Sequence, residues 1–177
     1  GLTAIDTATE ALAYYPVQVE KFLSRFEILV KERGENQVRD AWDEEEGLIA
    51  EEFIAHAKAI RAERAVAEME EREPQILELL KKWGGVTVAY RKRLVDSPSY
   101  TLNHEEVDKA LEEGISIAEC LSPITALVDK YGHVSHLTLN KQRLTRDGTW
   151  LTLDNVEKLP AKAILIAAGT QPNTVLV

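Results

Sequence analysis

At 177 residues with a formal net charge of −9, the chain has room for one ordinary domain, or one carrying a large insertion. It lacks the general basic surface from which nucleic-acid binders draw affinity. Its single cysteine, Cys120, excludes an internal disulfide framework and a CxxC redox pair. The longest uninterrupted apolar run, 163–168, is far too short to cross a bilayer, and no basic stretch followed by an apolar core opens the chain. These features predict a soluble, cytoplasmic protein with no nucleic-acid or membrane partner.

In chain order, Gly1 and Thr3 stand where a phosphate-binding turn would feed a helix, and Ala4, Ile5, Ala8, Ala11 and Leu12 recur at helical spacing. Pro16 suits the first turn of a second helix, whose stripe is Val19, Phe22, Leu23, Phe26, Leu29 and Val30 and which Gly34 ends. A longer helical stretch follows over 36–71, with Val38, Trp42, Ile49, Phe53, Ala57, Ile60 and Val66 as core candidates and Gly47 as a candidate interruption. The acidic runs 43–46 and 68–73 read as solvated faces. Pro74 restarts a short helix over 76–83.

The segment 84–93, GGVTVAYRKR, breaks this pattern. Val86, Val88 and Tyr90 follow a glycine turn and read as a strand that delivers Arg91, Lys92 and Arg93 to its carboxyl end. In open α/β sheets ligands bind at that end, and guanidinium groups there suit a phosphate. Asn103 is a candidate N-cap with Glu106 three residues on, and Val107, Ala110 and Leu111 face one way before Gly114 closes the helix. A strand over 115–118 and a β-meander over about 122–155 follow, with turns at 130–132 and 147–148. The run 163–168, AILIAA, predicts a strand buried on both faces.

The remaining candidates carry bland readings. His133 and His136 form HxxH across a hairpin strand without further ligands, so no metal site is expected. Cys120 has no visible His-Asp arrangement and reads as a structural thiol. Trp42, Trp83 and Trp150 read as packing residues. No side chain stands out as catalytic.

The motifs GLTAID, VTVAYRKR, HEEVDKALEEGI, DKYGHV and AILIAAGTQPNT occur in this order. Together they resemble the NAD(P)H-binding domain of FAD-dependent pyridine nucleotide-disulfide oxidoreductases, similar to the glutamate synthase small subunit. The resemblance covers 1–13 and 84–177. It implies an α/β fold: a partial Rossmann-like domain without its first strand, carrying a β-meander, with 14–83 as an all-helical insertion. By the resemblance, Gly1, Leu2, Thr3 and Ala4 belong to the phosphate-binding turn, Arg91, Lys92 and Arg93 to the 2′-phosphate of NADPH, and Ala168 and Gly169 to a close backbone approach.

The resemblance further implies that this is a piece of a larger flavoprotein, partnered by the flavin-binding domain of its parent chain. The piece itself is expected to hold an incomplete NADP or NAD site, no FAD and no activity alone. Without a first strand, self-association or a strand-completing copy is expected. Two readings from other classes stand beside this one. In the first, the helical insertion docks a partner subunit or electron acceptor; in the second, the chain is a non-redox nucleotide-binding regulatory domain.

Overall fold

A computed structural model describes residues 1–168. The fold is mixed α/β and divides into two compact units: Glu10–Gly85, and 1–9 with 86–168.

The helical unit is built from the long helix α1 (Leu2–Arg33), whose first residues belong to the other unit, α2 (Glu35–Arg39), α3 (Glu44–Met69) and α4 (Ile76–Lys82). Its core gathers Val19, Leu23 and Phe26 from α1, Val38 from α2, and Ile54, Ala57 and Ile60 from α3. Those positions recur at three and four residues, which is the spacing that aligns side chains on one helix face.

Pro16 does not begin a helix, contrary to the sequence expectation; it lies inside α1. A proline within a helix removes one backbone hydrogen bond and costs about 3 kcal/mol. Here the ring is buried, between the buried Leu12 and Val19 in sequence, and apolar burial offsets the local penalty. The stretch 36–71 is likewise not one helix. Gly47 does not interrupt it; the break falls before Asp43, and Gly47 donates its N–H to the Asp43 carbonyl inside the first turn of α3.

The ends of these helices are chemically specified. The Asp43 carboxylate accepts from Glu46 N–H at 2.8 Å while the Glu46 carboxylate accepts from Asp43 N–H at 3.1 Å. This capping box satisfies two otherwise unpaired donors, so the acidic run 43–46 is more than a solvated face. At the other end of α3, Arg72 N–H reaches Ala67 C=O and Glu71 N–H reaches Glu68 C=O, with Glu71 at φ 52. α4 closes in the same way, Gly85 to Leu80 and Gly84 to Lys81, with both glycines at positive φ.

The second unit contains β1 (Thr87–Ala89), α5 (Pro98–Leu102), α6 (His104–Glu112), β2 (Ser116–Ala118), β3 (Leu121–Val128), β4 (Val134–Leu144) and β5 (Trp150–Pro160). β1 and β2 pair in parallel, Thr87 opposite Ser116 and Ala89 opposite Ala118. The intervening helices supply the crossover that parallel neighbours require. β3, β4 and β5 form an antiparallel meander with β4 central. Leu139 on β4 is wholly buried, as are Val107 and Ala110 on α6.

Two expectations fail in this unit. Asn103 occupies the N-cap of α6 but its side chain makes no capping bond, because its backbone sits at φ −145, ψ 55 rather than in the usual extended cap geometry. The run 163–168 is irregular rather than a buried strand, with Leu165 60% and Ile166 90% exposed. An apolar run becomes a strand only where a neighbour offers a hydrogen-bond ladder, and no described strand pairs with it.

Leu139→Ala leaves a cavity under the central meander strand and is expected to cost about 2–5 kcal/mol in chemical denaturation. In the helical unit, Asp43→Ala should cost about 1 kcal/mol through loss of the cap. Glu71→Gly should instead raise stability, since it relieves a left-handed residue strained by about 1–2 kcal/mol; opposite signs for Asp43→Ala and Glu71→Gly check the two assigned helix ends of α3.

Candidate functional site

The backbone positions the basic segment. Beyond the last β1–β2 pair, Tyr90 N–H donates to Ala118 C=O at 2.9 Å, Leu121 N–H to Tyr90 C=O at 3.0 Å and Cys120 N–H to Lys92 C=O at 3.1 Å. Residues 90–92 are thereby fixed along 118–121. Cys120 makes this possible by adopting φ 57, an uncommon conformation for a residue with a side chain. Its carbonyl also accepts from Gln142 N–H at 2.7 Å, tying the segment to β4.

The three basic residues then part company. Arg93 forks onto Asp96, with Nε 2.7 Å from Oδ2 and Nη2 2.8 Å from Oδ1. The hydrogen bonds and charge of Arg93 hold the Asp96 carboxyl below the usual carboxylate range, and Asp96 in turn raises the guanidinium. The Glu119 carboxylate accepts from Leu94 N–H and closes the turn after the basic segment. Among the described residues, neither Arg91, which is exposed, nor the half-buried Lys92 has an ion-pair partner. Two cations are therefore presented at the carboxyl end of β1, and the third is neutralised locally.

At the start of α1, Gly1 precedes the first turn and its carbonyl accepts from Ala4 N–H at 3.0 Å. Leu2 and Ala4 are half-buried, Thr3 is exposed, and the first turn carries no acidic residue. This leaves the positive end of the helix without an internal counter-charge. Ala168 is exposed in irregular chain, and Gly169 lies outside the described residues.

A shallow cleft of about 370 Å³ is lined by Glu119, Cys120, Lys141, Gln142 and Glu157 among others. Lys141 and Glu157 pair across it at 2.6 Å. Burial, reinforced by Glu119, pushes the Cys120 thiol up, so it is held as the neutral thiol rather than as a nucleophilic thiolate. Among the described residues no group of three or more His, Cys, Asp or Glu could hold a metal ion. The HxxH pair sits on the β3–β4 hairpin, where the Asp129 carboxylate accepts from Tyr131 N–H and His133 N–H, while His136 Nδ1 lies 3.2 Å from Ser135 Oγ.

Sequence reasoning did not foresee the Arg93–Asp96 fork, although an Arg and an Asp three residues apart signal it. The role of Glu119, 25 residues from its partner Leu94, left no local signal. The sequence also gave no warning of a polar cluster in the helical unit, where Tyr15 Oη lies 2.6 Å from His56 Nδ1, 41 residues away. No helix among the described residues is long and apolar enough to cross a membrane.

No family model matches the chain. The chain is similar to the "Uncharacterized protein RP006" of Rickettsia prowazekii (strain Madrid E), with 35% identity over 185 aligned positions that cover 98% of this chain and 24% of that protein. It thus spans about a quarter of the length of the curated relative it matches.

Proposed function

We propose that residues 1–9 and 86–168 belong to the nucleotide-binding, Rossmann-like part of a larger cytoplasmic NAD(P)H-dependent flavin oxidoreductase, whose flavin-binding domain lies elsewhere in the parent chain. The observation that carries this reading is the parallel β1–β2 pair, crossed over by α5 and α6, with Arg91 and Lys92 just past its carboxyl end. A guanidinium and an ammonium suit a phosphate, whereas an acidic residue at that place would suit a ribose hydroxyl. NADP is accordingly favoured over NAD.

The donor set fits the group in part. Arg91 and Lys92 would hold the 2′-phosphate, and the first-turn N–H groups of α1 after Gly1 have the polarity for a pyrophosphate. Arg93, in contrast, has its fork occupied by Asp96 and serves to shape the turn. When bound, the nicotinamide supplies the hydride that a flavin accepts, and this chain contributes position and charge. Self-association, or a strand supplied by a second copy, is part of the same reading.

The helical unit favours a second reading, that of a partner-docking module. On α3 the exposed Leu48, Val66 and Met69 follow a heptad spacing with Ala55, Ala59 and Ala62, on the side away from the buried Ile54, Ala57 and Ile60. A seam of this kind accepts one more helix.

Equilibrium titration with NADPH and NADH tests the first reading. Tighter binding of NADPH is expected, and Arg91→Ala should weaken NADPH by about 10-fold or more while leaving NADH unchanged, the size of one lost charge-assisted hydrogen bond. Equal weakening of both nucleotides, or no difference between them in the unsubstituted chain, defeats the assignment.

A further inference from the structure

One of the three cations of the basic segment is withheld from the site proposed for the phosphate. The Arg93 guanidinium donates to both oxygens of the Asp96 carboxylate, from Nε at 2.7 Å and from Nη2 at 2.8 Å. Exposed ion pairs usually contribute little, because two long side chains must be ordered to meet. This pair is bidentate, and both residues lie on one backbone turn. Leu94–Asp96 is a 3₁₀ turn in which Asp96 N–H donates to Arg93 C=O at 3.0 Å and Ser97 N–H to Leu94 C=O at 2.9 Å. The turn is held from outside as well: Leu94 N–H donates to the Glu119 carboxylate, Cys120 N–H donates to Lys92 C=O, and Ser97 is buried. The carboxylate is thereby kept where the guanidinium meets it.

Asp96 also lies within the field of the neighbouring cation. Its carboxyl is held below the ordinary range first by the hydrogen bonds and charge of Arg93, and the charge of Lys92 adds to the effect. A carboxylate so placed acts twice on an incoming anion. It repels the anion directly, and it occupies the planar fork that would otherwise engage a further pair of phosphate oxygens. Arg91 and Lys92 are left, and they balance one phosphate monoester of about two negative charges. A diphosphate or triphosphate group offers more charge and more acceptor oxygens than these two cations can engage.

We propose that Asp96 is the selectivity residue of the basic segment: by engaging Arg93 it restricts the segment to a single phosphate monoester and turns polyphosphates away. The inference rests on the reading of Arg91 and Lys92 as a phosphate site, and adds which phosphates that site accepts.

Titration of the 177-residue chain and of Asp96→Asn with inorganic phosphate and with pyrophosphate tests this role. The substitution keeps the shape and one acceptor of the fork but removes the charge. In the unsubstituted chain, pyrophosphate is expected to bind no more tightly than phosphate. Phosphate should shift the Arg91 Nε–H NMR signal and leave that of Arg93, identified by its loss in Arg93→Gln, in place. In Asp96→Asn, pyrophosphate should bind about 10-fold more tightly, with a smaller gain for phosphate, and the Arg93 signal should move with the anion. The double variant Arg93→Gln/Asp96→Asn should return to the unsubstituted affinity. No gain, equal gains for the two anions, or a gain kept in the double variant overturns the proposal. So does an Arg93 signal that moves with phosphate in the unsubstituted chain, a result that decides the matter even if Asp96→Asn fails to fold. Titration of the unsubstituted chain with NADPH and NADH decides the nucleotide reading separately, since that reading can fail while the inorganic anions still distinguish Asp96→Asn.

Discussion

The second unit depends on a short backbone ladder between 86–92 and 116–121. Ser116 N–H donates to Val86 C=O, Tyr90 N–H to Ala118 C=O, Leu121 N–H to Tyr90 C=O and Cys120 N–H to Lys92 C=O. Strands β1 and β2 have three paired residues each, too few to be stable in isolation. The extension past them gives the pair its reach. It requires the chain at Cys120 to turn from running parallel to β1 into the first strand of the meander, and the left-handed φ there is the means. Strain of about 1–3 kcal/mol at such a residue is sustained only where surrounding bonds determine it. Here the bonds to Lys92 and Gln142 do so, and they also attach the meander to the parallel pair.

The parts of this arrangement that were legible in the sequence are those set by neighbours a few residues apart. Gly84-Gly85 and Gly114 end helices because only glycine adopts positive φ without side-chain cost, and each closes a helix through the same pair of backbone bonds. The strand after Gly85 and the meander were readable from β-branched residues between turns. What escaped depends on distant partners. Pro16 sits inside α1 because burial of its ring outweighs a local rule. The segment 163–168 has strand composition, but backbone pairing rather than composition makes a strand. Composition alone does not show that Asp96 takes one of the three cations of the basic run.

Specificity and stability are divided in the helical unit. Arg61 bonds Glu27 and Ser24, Arg64 bonds Glu20, and Arg72 bonds Glu63 across the turn that follows α3. Exposed pairs of this kind contribute about 0–1 kcal/mol each, so the buried Leu23, Ala57 and Ile60 carry the stability and the ion pairs select which faces meet. Glu63 shows the difference, since its carboxylate also accepts from Gln75 N–H and so joins α3 to the chain that enters α4. The hydrogen bond from Arg72, and then that from Gln75, hold this carboxyl below its ordinary value. The Tyr15–His56–Trp83 cluster packs against the far end of α4. α4 is thus fixed by a charged contact at its start and an aromatic, uncharged one at its end.

The overall charge of −9 sharpens the reading of the basic segment. An acidic molecule repels anions at long range, so an anion is retained only where local cations exceed local carboxylates within about 10 Å, the screening length at moderate salt. Around residues 91–96 the balance is close: Arg93 is cancelled by Asp96, and Glu119 sits against the turn. Only Arg91 and Lys92 remain, and a phosphate monoester carries about two negative charges at neutral pH. Two cations just balance one dianion, and the loss of either leaves the group half-compensated. Conversely, replacing Asp96 frees a third cation but also the fork that orders the turn. On the proposed reading, charge at this site is limited by geometry: the carboxylate that weakens the field is the one that holds the segment in place.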